Sequence, residues 1–487
     1  MDLAVALRIL LLALLTVVSA AGAHAQGAEQ PAAAFDSATV VPADSAPPPA
    51  DQGPAAHASD SLAFPATRVQ QPQLARALAG LIILNGAAVA INNIARDLPT
   101  TRPETWWRNV RGGWAWDGNN ISTNNIEHPY GGAVYYNVAR ANGLSFWASA
   151  PVTLAGSLMW ELFGEPVPPS TNDLIITTLS GITLGEATRR LSTLVLDNHA
   201  RGIDRVWRET AVLFFNPGMG LDRLSRGQTW HQRPNPLDRR PGSLRATLAF
   251  GARRMTLPAG STSARMNVAV AAFGLQYGDP FNGARVQPFS WFTFSAELAS
   301  GPSTTVTELG TRGMLAALGR RDGATRHVSG VFIDFEYQWN EAFQFSQQSF
   351  GIGLLSRTGS SAWRLNTDIS AELLPLVASS DPYAEETVSR MYDYGAGVGG
   401  RAFAQLEYRG FRMLSAGYRG FWTATVNGAS QSKLIQFAKV EARAPLPLGL
   451  SAGAAYNMYL QRSTYAGRSA ASVSLPQMTV FLSTSGR

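Results

Sequence analysis

Beyond about Ser243 the chain alternates apolar and polar residues, and this is the feature that most limits its fold. Trp363, Leu365, Thr367, Ile369, Ala371 and Leu373 alternate with Arg364, Asn366, Asp368, Ser370 and Glu372, so an extended segment carries one largely apolar face and one polar or charged face. Val331, Ile333, Phe335 and Tyr337 alternate in the same way with Phe332, Asp334, Glu336 and Gln338, and Ala438, Val440 and Ala442 alternate with Lys439, Glu441 and Arg443. Such segments recur at about twenty-residue spacing with Gly, Pro, Asn or Ser between them, which predicts about twelve strands of roughly ten residues plus turns. The last of them, Ser472 to Leu482, is the expected closing strand.

A soluble sandwich would also alternate. The strand length, the Tyr and Trp near strand ends (Trp339, Tyr392, Tyr394, Tyr408, Tyr418, Trp422) and the charges on the polar face favour a barrel in an outer membrane, with aromatics at the interfaces and charges toward a wet lumen. The N-terminus agrees. Arg8 precedes an apolar run from Ile9 to Val18, and Ala23-His24-Ala25 offers a cleavage site, so residues 1–25 read as a secretory signal peptide. The chain has no cysteine, which excludes a lipoprotein anchor, disulfides and thiolate chemistry. Charged residues make up 15% of the chain against roughly 25% in a soluble domain. With a net charge of only +6 and scattered arginines, a nucleic-acid partner is not expected.

The predicted organisation is α+β: a signal peptide, an Ala/Pro-rich disordered linker over 26–72, a helical module with its connecting segment over 73–242, and an antiparallel transmembrane barrel over 243–487. Three helices are expected in the module. The first, Leu74 to Ala95, is apolar enough to span a membrane, but Asn85, Asn92 and Asn93 interrupt it and point to a helix buried against protein. The second covers about Leu144 to Gly164. The third covers about Thr171 to Asp197, where Gly181 and Gly185 form a small-residue face that allows another backbone close.

This module holds many polar residues in segments expected to be buried: Asn125, His128-Pro129-Tyr130, Tyr135, Arg140, Ser157, Trp160-Glu161, Glu165, Ser170 to Asp173, Thr177, and Gly185-Glu186 with Arg189 and Arg190. Their order resembles an uncharacterised bacterial envelope family, a domain of unknown function typed by Asn-x-x-His-Pro-x-x-Gly, Ala-Arg, Ser-x-x-Trp-Glu, Pro-Ser-x-Asn-Asp-Leu and Gly-x-x-x-Gly-Glu. The likeness covers about Trp106 to Arg190, with a fainter one to VanZ-like and small envelope-lipoprotein families. It implies an envelope location and a helical module joined to a barrel, and it implies no activity.

Each polar residue also has a plain structural reading. Ser157, Glu161 and Glu165 line one helix face, and Glu161 is expected to pair with Arg140, Arg189 or His128. Ser170 and Asp173 are spaced as a capping box at a helix start. His128, before Pro129, is expected in an extended or turn conformation as a hydrogen-bonded structural residue. His128, Glu161, Asp173 and Glu186 form a nitrogen and oxygen set suited to zinc or a harder divalent ion, but none sits at a recognised ligand spacing, so no metal site is expected. Gly-x-Ser-x-Gly turns and glycine-rich phosphate loops are absent, and the sequence identifies no cofactor.

The leading expectation is a non-enzymatic outer-membrane protein whose helical module sits beneath or inside the barrel and serves structure, gating or assembly. The first rival is an envelope hydrolase or transferase acting on lipid or cell-wall substrate, with His128, Glu161 and Glu186 as candidate catalytic residues and Asn125, Tyr130, Arg140, Ser157, Asp173 and Arg189 as candidate binding residues. The second is a pore for small polar solutes. Expected partners are outer-membrane lipid, the lipid or cell-wall substrate, and the barrel-assembly machinery during biogenesis.

Overall fold

The computed structural model describes residues 71–95, 101–235, 241–257, 265–282, 287–301, 306–360, 362–388 and 390–486. The signal-peptide reading and nearly all of the linker reading fall outside them. Twelve antiparallel strands close into a barrel in sequence order, with β1 (Leu244–Thr256) bonded to both β2 (Arg265–Tyr277) and β12 (Ala471–Gly486). Between these run β3 (Phe292–Ala299), β4 (Val306–Arg321), β5 (Thr325–Trp339), β6 (Gln344–Gly359), β7 (Trp363–Ser380), β8 (Tyr392–Tyr408), β9 (Phe411–Asn427), β10 (Ser432–Pro445) and β11 (Leu450–Thr464). Closure satisfies every strand edge, which is what a sheet needs in a medium without water.

The alternation read from the sequence sorts the two faces. Arg312 and Asp334 meet at 2.7 Å, Arg312 and Asp368 at 3.0 Å, Arg401 and Glu372 at 2.6 Å, and Arg253 and Glu297 at 2.6 Å, all inside the wall. Their neighbours in sequence point outward. Ile352, Ile369, Val398, Trp422, Tyr456 and Val480 are exposed on the outside of β6 to β12 and form an apolar belt.

The lumen is not an open tube. At the end where β5 turns into β6, Phe343 stacks on Tyr459 at 4.2 Å, and Phe345 meets Phe437 at 4.8 Å. Behind them the buried Lys433 lies 3.3 Å from Asp381 and 3.2 Å from Asp393. A cavity of about 890 Å³ occupies the rest of the lumen, from Arg245 and Leu450 near the ends of the first and last strands up to this aromatic plug. The start of the β2–β3 connection folds into it, where Asp279 pairs with Arg357 at 3.0 Å.

The helices are α1 (Leu74–Ala95), α2 (Pro103–Arg111), α3 (His128–Ala141), α4 (Phe146–Met159), α5 (Thr171–Val195), α6 (Gly202–Phe215), α7 (Pro217–Ser225) and the short α8 (Ala384–Val388). They do not lie beneath or inside the barrel, contrary to the sequence expectation. The module formed by α1 to α7 packs on its outer wall, and α8 sits in the β7–β8 connection. α5 runs against β4 to β7, and one apolar core joins Ile182, Leu191 and Val195 of α5 to Phe273, Phe292, Phe294 and Ile333, whose side chains point out of the barrel. A second core joins Ile121, Ile126 and Ile176 to Phe335, Tyr392 and Tyr394. Apolar residues on these strands thus bury against helices where their counterparts on β9 to β12 remain exposed.

Within the module, α3 and α5 meet backbone to backbone. A Cβ on Gly181 would fall 2.6 Å from the Gly132 backbone, and one on Gly185 would fall 2.7 Å from the Tyr136 ring, so the small-residue face expected from the sequence is used here. α1 differs from expectation. Ala77, Leu81 and Asn85 are buried, with Asn85 accepting from the Tyr135 hydroxyl at 2.7 Å, but Ile82, Ile83, Ile91 and Ile94 are exposed. Leu74–Ile94 has a mean hydropathy of 1.9, so α1 docks by one strip and presents the remainder of an apolar cylinder outward. Trp147, Leu154 and Phe163 on and after α4 are exposed as well.

Candidate functional site

Residues 115–117 lie alongside the start of α5 and fix the geometry of the polar cluster. Ala115 N–H donates to Pro169 O and Thr171 N–H to Ala115 O, both at 2.9 Å, a single parallel bridge between the two segments. Asp117 N–H then donates to Asn172 Oδ1 at 2.8 Å. This sets the Asp117 side chain beside that of Asp173, and the ligand atoms of Asp117, His128 and Asp173 all lie within 4.8 Å of one another.

His128 enters from α3 in helical conformation (φ −63°, ψ −48°), not extended as its place before a proline suggested. The cause is a wide turn, Thr123–Glu127, in which the His128 N–H bonds back five residues to Thr123 O. That turn opens the backbone enough to accept Pro129 at the helix start, where a missing N–H costs nothing. His128 Nδ1 is 3.2 Å from Thr177 Oγ1, and Nε2 is 3.8 Å from Asp173 Oδ1.

The capping box forms only in half. Ser170 Oγ accepts from the Asp173 N–H at 3.3 Å, but the Ser170 N–H donates to Glu161 Oε2 at 2.8 Å. The Asp173 carboxylate is thereby free to face inward: Oδ1 accepts from Asn172 Nδ2 at 2.9 Å, while the buried Oδ2 has no partner. Glu161 is fully buried and its Oε1 is also unpartnered. Glu165, in the loop that follows, accepts from Trp160 Nε1 at 2.8 Å; burial pushes its carboxyl above the ordinary range, and the nearby His128 opposes that rise.

Among the described residues, no Lys or Arg pairs with Asp117, Glu161, Glu165 or Asp173. Two of the partners expected for Glu161, Arg140 and Arg189, are taken. Glu186, fully buried, is held by Arg140 at 2.9 Å, Arg190 at 3.0 Å, Arg189 at 3.3 Å and the Tyr136 hydroxyl at 3.0 Å. It sits along α5 from Asp173 by thirteen residues, about 20 Å of helix. Glu186, Arg140 and Arg189 therefore form a satisfied structural cluster away from His128.

Of the other candidates, the Tyr130 hydroxyl donates to Phe214 O at 3.0 Å, and Asn125 Nδ2 and Ser157 Oγ are buried without partners. Asp117 is the residue that sequence reasoning missed. Asp117-Gly118-Asn119-Asn120 has the composition of a surface turn, and only its position just ahead of the Asn-x-x-His-Pro run could have drawn attention to it.

The cluster lies at the plugged end of the barrel, on the outside. Asn124 Nδ2 donates to Tyr392 Oη at 3.0 Å, Asn172 Nδ2 reaches Tyr394 Oη at 3.3 Å, and Arg390 donates to Asp117 O at 3.1 Å. A buried imidazole among carboxylates can carry protons, bind a cation or polarise a substrate oxygen.

A closed antiparallel sheet with a charged lumen and an apolar outer belt defines an outer-membrane β-barrel protein. Within it, residues 113–218 match the family model described as a domain of unknown function, DUF3943. No curated protein matches the chain. Among solved structures, the outer membrane channel DcaP of Acinetobacter baumannii is 9% identical, with a TM-score of 0.25 over 50% of this chain and 96% of that one. The beta domain of the Bordetella autotransporter BrkA is 13% identical, with a TM-score of 0.21 over 50% and 99%. The COG4313 outer membrane channel from Pseudomonas putida F1 is 11% identical, with a TM-score of 0.22 over 52% and 100%. Likenesses of this size carry no argument about role.

Proposed function

We propose that this protein is an outer-membrane enzyme acting on a lipid substrate, with the barrel as anchor and the helical module as the catalytic part. One observation carries the reading: Asp117, Asp173 and Glu165 gather at His128 on the outer wall of the barrel with Glu161 beside them, and among the described residues no Lys or Arg pairs with these acids. Burying acids without a counter-ion or a full set of donors carries a desolvation cost that a purely structural network has no reason to keep. The three arginines that could have relieved it surround Glu186 instead.

The same reading puts the module at membrane depth rather than in the periplasm. α5 is 25 residues long, about 37 Å, and lies along the wall; the exposed faces of α1 and α4 are apolar. Apart from the β2–β3 connection, which starts by folding into the lumen, the connections at one end (322–324, 360–362, 409–410, 446–449) are short and suit the periplasmic side, which leaves the end with 381–391 as the external one. The cluster then lies near the outer headgroup layer, where a lipid reaches it without entering the lumen. Lipid is favoured over cell wall on that ground, with Asp117, His128 and Asp173 as the reactive centre and Glu161 beside them as the proton-transfer group.

The test is reconstitution of the full chain into vesicles of outer-membrane lipid extract, with the lipids followed by mass spectrometry. Wild type should change the mass of one lipid class and His128→Ala should not. Lipids that stay unchanged with folded wild-type protein overturn the proposal.

A further inference from the structure

We propose that Asp117, His128 and Asp173 together hold one divalent cation. The three residues offer two carboxylate oxygens and one imidazole nitrogen within 4.8 Å of one another, a donor set that suits zinc or manganese and leaves further positions for water or a substrate oxygen. Two independent features point to a missing positive charge. Asp173 is fully buried, and its Oδ2 has no donor. Ligand atoms of Asp117 and Asp173 lie within 4.8 Å of each other, and among the described residues no Lys or Arg pairs with either.

The surroundings orient each ligand. Thr177 Oγ1 lies 3.2 Å from His128 Nδ1 and anchors the ring with Nε2 on the Asp173 side, as the ligand atom. Asn172 Nδ2 holds Asp173 Oδ1 at 2.9 Å, and the Asn119 N–H holds Asp117 Oδ1 at 2.8 Å. Asn119 Nδ2 also donates to Asp117 Oδ2, so Asp173 keeps Oδ2 without a donor and Asp117 coordinates through a remaining lone pair of its held carboxylate. Glu161, whose buried Oε1 has no donor, and Glu165 border the cluster.

The site rests on the reading of this cluster as the reactive centre, but its occupancy is measured without turnover. Full-length protein folded in detergent, stripped with EDTA and desalted, is dialysed against Zn²⁺ or Mn²⁺ and its bound metal counted. Wild type should take up one ion per chain. Asp117→Asn, on a partly exposed loop, and His128→Ala should lose stoichiometric binding, while Thr177→Val should bind about 10-fold more weakly through loss of the orienting bond. His231→Ala, a change at an exposed histidine on another segment, should bind as wild type does.

Heat-modifiable migration on a gel confirms that each variant is folded before its metal is counted. Less than one ion on folded wild type, or unchanged binding by both Asp117→Asn and His128→Ala, overturns the site. Lipid turnover by the stripped enzyme in EDTA would sink the metal and leave the lipid-enzyme reading standing. One bound ion with no lipid turnover would do the reverse.

Discussion

Glu161 and Ser170 are joined by one hydrogen bond, from the Ser170 N–H to Glu161 Oε2 at 2.8 Å, and this bond decides how the start of α5 is capped. By taking the place that Asp173 would fill in a capping box, Glu161 releases the Asp173 carboxylate toward His128. A buried acid here does the work of a cap and shapes the polar cluster at once.

Glu161→Gln should therefore leave folding intact. The amide oxygen can still accept from Ser170, so stability should hold to within about 1 kcal/mol while lipid turnover falls. Urea titration of detergent-folded protein, alongside the lipid assay, reads both. A loss of several kcal/mol would show that Glu161 has a cationic partner after all.

Glu186→Gln should behave in the opposite way. Three arginines would lose their shared counter-charge in a buried setting, and the module should lose about 3–5 kcal/mol. Protease resistance of the module is the direct measurement; full resistance in the variant would contradict the structural assignment.

The aromatic plug predicts low conductance. Wild type in planar bilayers should pass little current, and the double change Phe343→Ala with Tyr459→Ala should raise it severalfold, because those rings stack across the lumen at 4.2 Å. A large steady conductance from wild type would restore the pore reading.

Because the chain has no cysteine, single thiols can map what covers the wall. Ile369→Cys, exposed on β7, should react quickly with a membrane-soluble thiol reagent, and Ile333→Cys, packed in the core shared with α5, at least about ten times more slowly. Equal rates would mean that the module does not lie on β5. Arg at Ile369 should cost about 2–4 kcal/mol if that position is near the midplane of the bilayer.

The barrel was legible because alternation is a local property: Trp363 to Leu373 states its two faces without reference to any other strand. What covers the outer face was not, since Phe273, which meets helices, and Ile369, which does not, look alike in sequence. The same limit governed the site. His128, Glu161 and Asp173 were candidates and do converge, but the choice of Glu186 over Glu161 as the partner of Arg140 depends on how α3 crosses α5 at Gly132 and Gly181. The half-made capping box was hidden too, because it needs a glutamate from the preceding turn to reach the Ser170 N–H.

The core shared between α5 and the strands has a consequence for how the chain can mature. Ile182, Leu191 and Val195 precede in sequence the strand residues that cover them, so the helices are made first and wait for their cover. Until β2 to β7 have paired, that apolar stripe has no protein partner and is open to self-association. Helices and sheet should then reach the finished state as one cooperative event, and severing the chain between 235 and 241 before that event should cost the helices their shelter even though no residue of the cluster is removed.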